Sequence, residues 1–267
     1  MRLTRSLSAL GALASAFALA TVATIVATGP AQAAGVSYVA LGDSYSAGNG
    51  AGNYISSSGD CHRSNSAYPA LWAAAHGPSS FTFAACSGAV TTDVTNSQLG
   101  SLSAATTLVT VTIGGNDAGF SDVITTCVAG SDSTCVNRVN TAENYVRSTL
   151  PSRLDAVYNA IRAKAPSARV VVLGYPDLYT LNVFCIGLSA TKHQKIDEAA
   201  DLIDTTTAAR AAAHGFVFGD VRGTFHGHEL CSGDGYLHDV ALPTWESYHP
   251  TAVGHSAGYL PVLNADD

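Results

Sequence analysis

Between Tyr38 and Gly48 the chain reads Y-V-A-L-G-D-S-Y-S-A-G, so that a short apolar run stops at Gly42-Asp43 and delivers Ser44. A hydroxyl held at the carboxyl end of a buried strand can attack a carbonyl carbon if a base, an orienting acceptor and oxyanion donors come from elsewhere. Serine is scarcely ionised at neutral pH, so something must take its proton as it attacks. His249, in Trp245-Glu246-Ser247-Tyr248-His249-Pro250, is the candidate. Two more turns, Cys86-Ser87-Gly88 and Gly114-Gly115-Asn116-Asp117, also follow apolar runs. Glycine lets a backbone N–H approach a substrate closely, and an asparagine amide donates without titrating.

Other groupings point to chemistry less well. Gly254-His255-Ser256-Ala257-Gly258 matches the Gly-x-Ser-x-Gly elbow. That elbow needs a strand before it and a histidine downstream, and no histidine follows His255, so the segment reads as the small-residue face of a last helix. His226, His228 and His238 with Cys231 fit no zinc spacing, and no metal is expected. The remaining histidines, His62, His76, His193 and His214, read as surface or helix-end residues.

Taken together, the four turns Gly42-Asp43-Ser44, Cys86-Ser87-Gly88, Gly114-Gly115-Asn116-Asp117 and His249-Pro250 resemble, in order and approximate spacing, those of the GDSL, or SGNH, hydrolases. The match spans nearly the whole mature chain and is most like the secreted actinomycete lipases and esterases of that family. The resemblance implies an α/β fold, a flavodoxin-like three-layer α/β/α sandwich with a mainly parallel central sheet. It implies a serine ester hydrolase with no cofactor, in which Ser44 is the nucleophile and His249 the general base. It assigns the oxyanion hole to the N–H groups of Ser44 and Gly88 and to the side-chain amide of Asn116.

Many members of the family carry an Asp three residues before the histidine, where this chain has Glu246. Others use a main-chain carbonyl. The orienting group therefore stays open between the Glu246 carboxylate and the carbonyl of Ser247 or Trp245. The implied substrates are acylglycerols, phospholipid acyl esters and short synthetic esters. Polysaccharide O-deacetylation and thioester hydrolysis occur in the same family, and a non-catalytic exported binding module is the alternative from another class. Tyr54, Ile55, Leu178, Tyr179, Leu181, Val183 and Phe184 are apolar residues in segments expected near the site.

Strands must deliver these turns, and apolar runs at 36–41, 81–84, 108–113, 169–175 and 216–218 predict them. Helical spacing predicts helices over 68–76, 143–164, 192–214 and 252–263, with a break or kink at Pro151. Alternating strands and helices give a mainly parallel sheet covered on both faces. The stretch 222–246 reads as a long loop, of the kind that carries function or is stapled.

Arg2 and Arg5, an apolar core over 7–28 and Ala31-Gln32-Ala33 form a secretory signal peptide over residues 1–33, with cleavage expected before Ala34. Residues 34–267 show no linker or repeat and read as one domain. Without the two signal arginines, 11 basic residues face 20 acidic ones, a net charge of about −9. That argues against nucleic acid or an anionic membrane as an electrostatic partner. A secreted monomer with no stable membrane insertion is expected, acting on a small-molecule or lipid ester. All six cysteines, Cys61, Cys86, Cys127, Cys135, Cys185 and Cys231, lie in the exported part and imply disulfides. Of the possible pairings, sequential neighbours are favoured because each would staple one loop segment.

Overall fold

Five apolar runs become the strands of one sheet. β1 (Ser37–Gly42), β2 (Ser80–Phe83), β3 (Leu108–Thr112), β4 (Arg169–Leu173) and β5 (Val217–Gly219) pair in parallel in the order β2-β1-β3-β4-β5. The computed structural model describes residues 35–181 and 183–267, so the expected signal peptide lies outside the described residues. The central strands are buried along most of their length, which is why they read as continuous apolar runs rather than as alternation. Thr110 and Thr112 interrupt β3 yet are fully buried, and Thr110 shares a 2.8 Å hydrogen bond with the Tyr38 hydroxyl.

Helices connect the strands. After β1 comes a single turn, α1 (Ser44–Ala47), and then α2 (Tyr68–His76). A short turn, α3 (Thr91–Asp93), follows β2. Between β3 and β4 run α4 (Phe120–Ala129), α5 (Asp132–Ser148) and α6 (Leu150–Lys164). Helix α7 (Ala190–Ala213) precedes β5, with α8 (Arg222–Phe225) and α9 (Leu260–Asp266) after it. Helix α2 packs against α9, and its Trp72 meets Tyr38 edge-on at 5.0 Å. Helix α7 packs along α5 and α6, completing the layers that flank the sheet.

Two helices depart from the sequence reading. Helix α4 was not foreseen, and α5 starts at Asp132 rather than near residue 143 because the Ser131 hydroxyl caps it, accepting from the Thr134 N–H. The break expected at Pro151 falls just before it, and Pro151 occupies the first turn of α6, where a missing N–H is harmless. The long loop over 222–246 includes α8 and a 3-10 turn at Thr244–Glu246. The final helix begins with a wide π turn over Gly254–Tyr259.

In this strand order β2 lies on one side of β1 and β3 on the other, so the chain switches direction at β1. Doubly wound sheets hold their ligands in the crevice at the strands' carboxyl ends at such a switch point. Gly42 closes β1 there with φ +124°, and a Cβ on it would lie 2.5 Å from the Thr112 carbonyl oxygen. The Gln98 amide grips the same glycine from both sides, accepting from its N–H and donating to its carbonyl, each at 2.8 Å. Three disulfides form as expected, and while Cys61–Cys86 and Cys185–Cys231 staple loops, Cys127–Cys135 ties α4 to α5. Among the described residues no helix is long and apolar enough to cross a membrane.

Candidate active site

Ser44 opens α1, directly after the Asp43 cap, whose Oδ1 accepts from the Tyr45 N–H at 3.0 Å. His249 arrives from the far end of the chain. Its Nε2 lies 2.7 Å from Ser44 Oγ, and its Nδ1 lies 2.9 Å from the Ser247 carbonyl oxygen. A carbonyl can only accept, so Nδ1 carries the hydrogen and Nε2 is left to accept from the serine. Both side chains are buried, and burial lowers the imidazole to about 4 while the Ser247 carbonyl pulls the other way. At neutral pH the ring is therefore neutral and able to take a proton.

The Glu246 carboxylate makes no bond to the His249 ring, although its main-chain carbonyl accepts from the His249 N–H at 3.2 Å. Its Oε1 accepts from the Tyr54 hydroxyl at 2.7 Å. The Trp245 carbonyl instead faces the Asn49 amide at 3.5 Å, and the Trp245 ring stacks on His62 at 3.9 Å with Tyr54 against its edge. These contacts pin the segment that carries the Ser247 carbonyl.

Gly88 follows β2 and the Cys61–Cys86 disulfide, with φ +76°. Neither its N–H nor that of Ser44 donates to the protein among the described residues. Asn116 donates from Nδ2 to the Ala89 carbonyl at 3.0 Å, which leaves its second N–H free. Ser44, Gly88, Asn116 and His249 all line one open cleft.

Bonds between the loops hold this arrangement. The Tyr175 hydroxyl donates to Asp43 Oδ2 at 2.5 Å and accepts from the Gly115 N–H at 3.0 Å, tying the Ser44 turn to the Asn116 turn. Burial pushes the Asp43 carboxyl up to about 7, against the pull of its donors. Asp117 accepts from the Thr91 hydroxyl at 2.6 Å and from its N–H at 2.9 Å, joining the loops after β3 and β2. The Tyr45 hydroxyl donates to the Tyr248 carbonyl at 2.6 Å. Sequence reasoning missed Tyr45, Asn49, Gln98 and Tyr175. Only Tyr45 carried a signal, standing beside the candidate nucleophile.

Two cavities meet at Ser44. The open cleft has about 460 Å³ of free space, with Trp245 and Val240 in its wall. The other is narrow, about 60 Å³, and almost wholly apolar, running beneath Phe120, Val123 and Ile124 towards Ala142, Leu178 and Ala199. Of the apolar residues expected near the site, Leu178 lines the narrow cavity, and Tyr179 reaches Tyr248 through its hydroxyl. Ile55, Leu181, Val183 and Phe184 line neither cavity. His193 is a correction to the reading of surface histidines. It is buried and stacks on Tyr179 at 4.0 Å, because the first turn of α7 packs inward. Cys231 is bonded to Cys185, His238 Nε2 donates to the Gly50 carbonyl and His228 Nδ1 to that of Asp234. In the Gly254–Gly258 segment the buried His255 accepts from the Tyr68 N–H through Nδ1, while Ser256 is exposed within the helix.

The GDSL-like lipase/acylhydrolase family model matches residues 40–257. Lipase 1 of Streptomyces coelicolor is 62% identical over 253 residues, covering 94% of each chain. A lipase of Streptomyces rimosus is 54% identical over 266 residues, covering 99% of each. Among solved structures, phospholipase A1 from Streptomyces albidoflavus NA297 superposes with a TM-score of 0.86 at 59% identity, covering 88% of this chain and all of that one. The extracellular lipase of Streptomyces rimosus superposes equally well at 57% identity, covering 87% of this chain and 100% of that one. With the family's four turns gathered at the switch point of a parallel sheet, the chain belongs to the GDSL-like lipase/acylhydrolase family and is a carboxylic-ester hydrolase.

Proposed function

We propose that the protein is a secreted lipase or esterase that cleaves the acyl esters of lipids through an acyl-enzyme on Ser44. The observation that carries this reading is the 2.7 Å contact between Ser44 Oγ and a buried, neutral His249. His249 Nε2 takes the hydroxyl proton as Oγ attacks the ester carbonyl. The resulting oxyanion is met by the N–H groups of Ser44 and Gly88 and the free N–H of Asn116. Collapse expels the alcohol, which leaves with the proton returned by His249. Water, activated by the same imidazole, then attacks the acyl-enzyme and releases the carboxylic acid. Ser247 supplies the orienting carbonyl, so the machinery is a dyad assisted by the main chain.

The two cavities support a lipid substrate. The narrow apolar one can take the first carbons of an acyl group next to Ser44, and the open, partly polar cleft has room for the rest of the substrate. A phospholipase A1 and two lipases among the relatives favour acylglycerols or phospholipids over acetylated sugars. Export rests on the sequence of residues 1–33, the three disulfides and the extracellular relative. The decisive experiment assays purified residues 34–267 and its Ser44→Ala variant on triacylglycerol, phospholipid, acetylated-sugar and chromogenic short-chain esters. Hydrolysis of the lipids, lost on Ser44→Ala with the fold intact, is expected. Turnover that survives Ser44→Ala, or is confined to acetylated sugars, refutes the reading.

A further inference from the structure

The most exposed apolar side chains lie in two loops, each tied by hydrogen bonds to the Tyr248-His249 segment. Phe184 is 91% exposed, Ile186 84% and Leu242 89%. A single exposed apolar residue needs no explanation, but several on loops that flank one site mark an interaction surface.

Both loops leave the wall that carries His249. The first starts from Tyr179, whose hydroxyl donates to that of Tyr248 at 3.2 Å, and from Thr180, whose N–H donates to the Leu230 carbonyl at 2.9 Å. The second starts from His238, which exchanges 2.9 Å backbone hydrogen bonds with His249 and Tyr248. Two residues on, Val240 is 64% exposed and lines the cleft, and Val128 of α4 adds a further half-exposed apolar group to the same lining. Cys185 stands between Phe184 and Ile186, and its bond to Cys231 anchors the loop tip. The apolar stretches themselves carry no charge, although the exposed Asp239 directly precedes Val240. No ionisable side chain other than the bonded Cys185 occurs between Tyr179 and Lys192, and none occurs from Val240 to Trp245. The chain as a whole is acidic.

We propose that this rim seats the enzyme on a zwitterionic phospholipid surface, with Phe184, Ile186 and Leu242 entering the lipid and the cleft mouth facing it. The proposal rests on the lipid-ester reading above. The physical logic is that these side chains expose apolar area that the protein itself does not cover. Insertion of these three side chains removes that area from water, and none of the three carries a charge that would have to be desolvated. The net negative charge disfavours an anionic surface, which leaves apolar insertion as the attraction.

The test uses the Phe184→Ser/Leu242→Ser double variant, whose substituted side chains are nearly fully exposed and line neither cavity. Binding is measured by co-sedimentation with phosphatidylcholine vesicles in a Ser44→Ala background, so that no hydrolysis intervenes. Turnover is measured on the same vesicles and on a water-soluble butyrate ester below its aggregation limit. Vesicle binding and vesicle turnover should each fall about tenfold or more, since each side chain contributes that order of affinity. Turnover of the soluble ester should stay within about twofold, that substrate needing only the cleft and not the rim. Unchanged vesicle binding overturns the proposal. So does an equal loss on both substrates, or tighter binding to phosphatidylglycerol vesicles than to phosphatidylcholine. Failure of the lipid-ester reading looks different: the unsubstituted enzyme would bind vesicles yet cleave no acyl ester in them.

Discussion

Tyr175→Phe removes one oxygen atom and leaves the ring in place, so its effect isolates the tie between the Ser44 turn and the Asn116 turn. In the native protein that oxygen donates to Asp43 Oδ2 and accepts from the Gly115 N–H, with all three residues buried. Deleting it strands a buried N–H and a buried carboxylate oxygen. At about 1–3 kcal/mol for each group left unpaired, stability should fall by about 2–6 kcal/mol. The loss should depend on pH in a definite direction. Burial already raises the Asp43 carboxyl to about 7, and losing a donor that favours the charged form raises it further. A group raised on folding contributes stability below its unfolded pKa and loses it as pH climbs through the folded value, so the variant should suffer more at about pH 8 than at about pH 5.5. Because Gly115 precedes Asn116, kcat should fall about tenfold to a hundredfold, as a displaced donor costs, with KM changed less. Urea melts at the two pH values, with kcat and KM on a soluble butyrate ester, test this. A midpoint shift equal at both pH values, or a kcat unchanged alongside it, refutes the claim that Tyr175 couples the two turns.

Three further outcomes follow from the same geometry. Asn116→Ala should lower kcat by about a hundredfold to a thousandfold with KM little changed if it is one of the three proposed oxyanion donors; an unchanged kcat on the butyrate ester removes Asn116 from the oxyanion site. Glu246→Gln should keep kcat within about threefold, because an amide oxygen still accepts from Tyr54 and the Ser247 carbonyl still orients His249; a loss beyond about a hundredfold would make Glu246 part of the catalytic group. The acid limb of kcat/KM should lie well below 6.5, towards about 4, because the buried imidazole must lose its proton to serve as base and burial lowers its pKa. A pH–rate profile with its acid midpoint at 6.5 or above refutes that.

What could be read from the chain beforehand was whatever depends on neighbours in sequence. The strands were legible because a parallel sheet covered on both faces demands unbroken apolar runs, and the turns because glycine is needed where a strand ends against its neighbour, as Gly42 does against Thr112. Helix α4 is not signalled by the sequence although Phe120, Val123, Ile124 and Cys127 stand at helical spacing, since it follows directly on the Gly114–Gly119 turn region and has no Pro near its start of the kind that marks α2. The start of α5 was hidden by its many polar residues. Tyr175 lies 132 residues from Asp43, and Gln98 lies 56 from Gly42, so nothing local announces that either side chain serves the nucleophile turn. Glu246 shows the opposite failure. Its place three residues before the histidine suggested a charge partner, but a three-residue 3-10 turn at 244–246 followed by Tyr248 at φ +61° turns it towards Tyr54.

That diversion of Glu246 bears on the chemistry. A carboxylate on Nδ1 would favour the imidazolium and raise the pKa of the base, whereas a neutral carbonyl 2.9 Å away fixes the tautomer with a far smaller effect on charge. Burial then prevails and the ring stays neutral well into acid, always ready to accept from Ser44 but a weaker base once it does so. In the mechanism proposed above, a weaker base shifts more of the barrier onto stabilisation of the oxyanion. The tyrosine, aspartate and glutamine bonds that lock the Ser44, Gly88 and Asn116 turns together are therefore the structural counterpart of a histidine without a carboxylate.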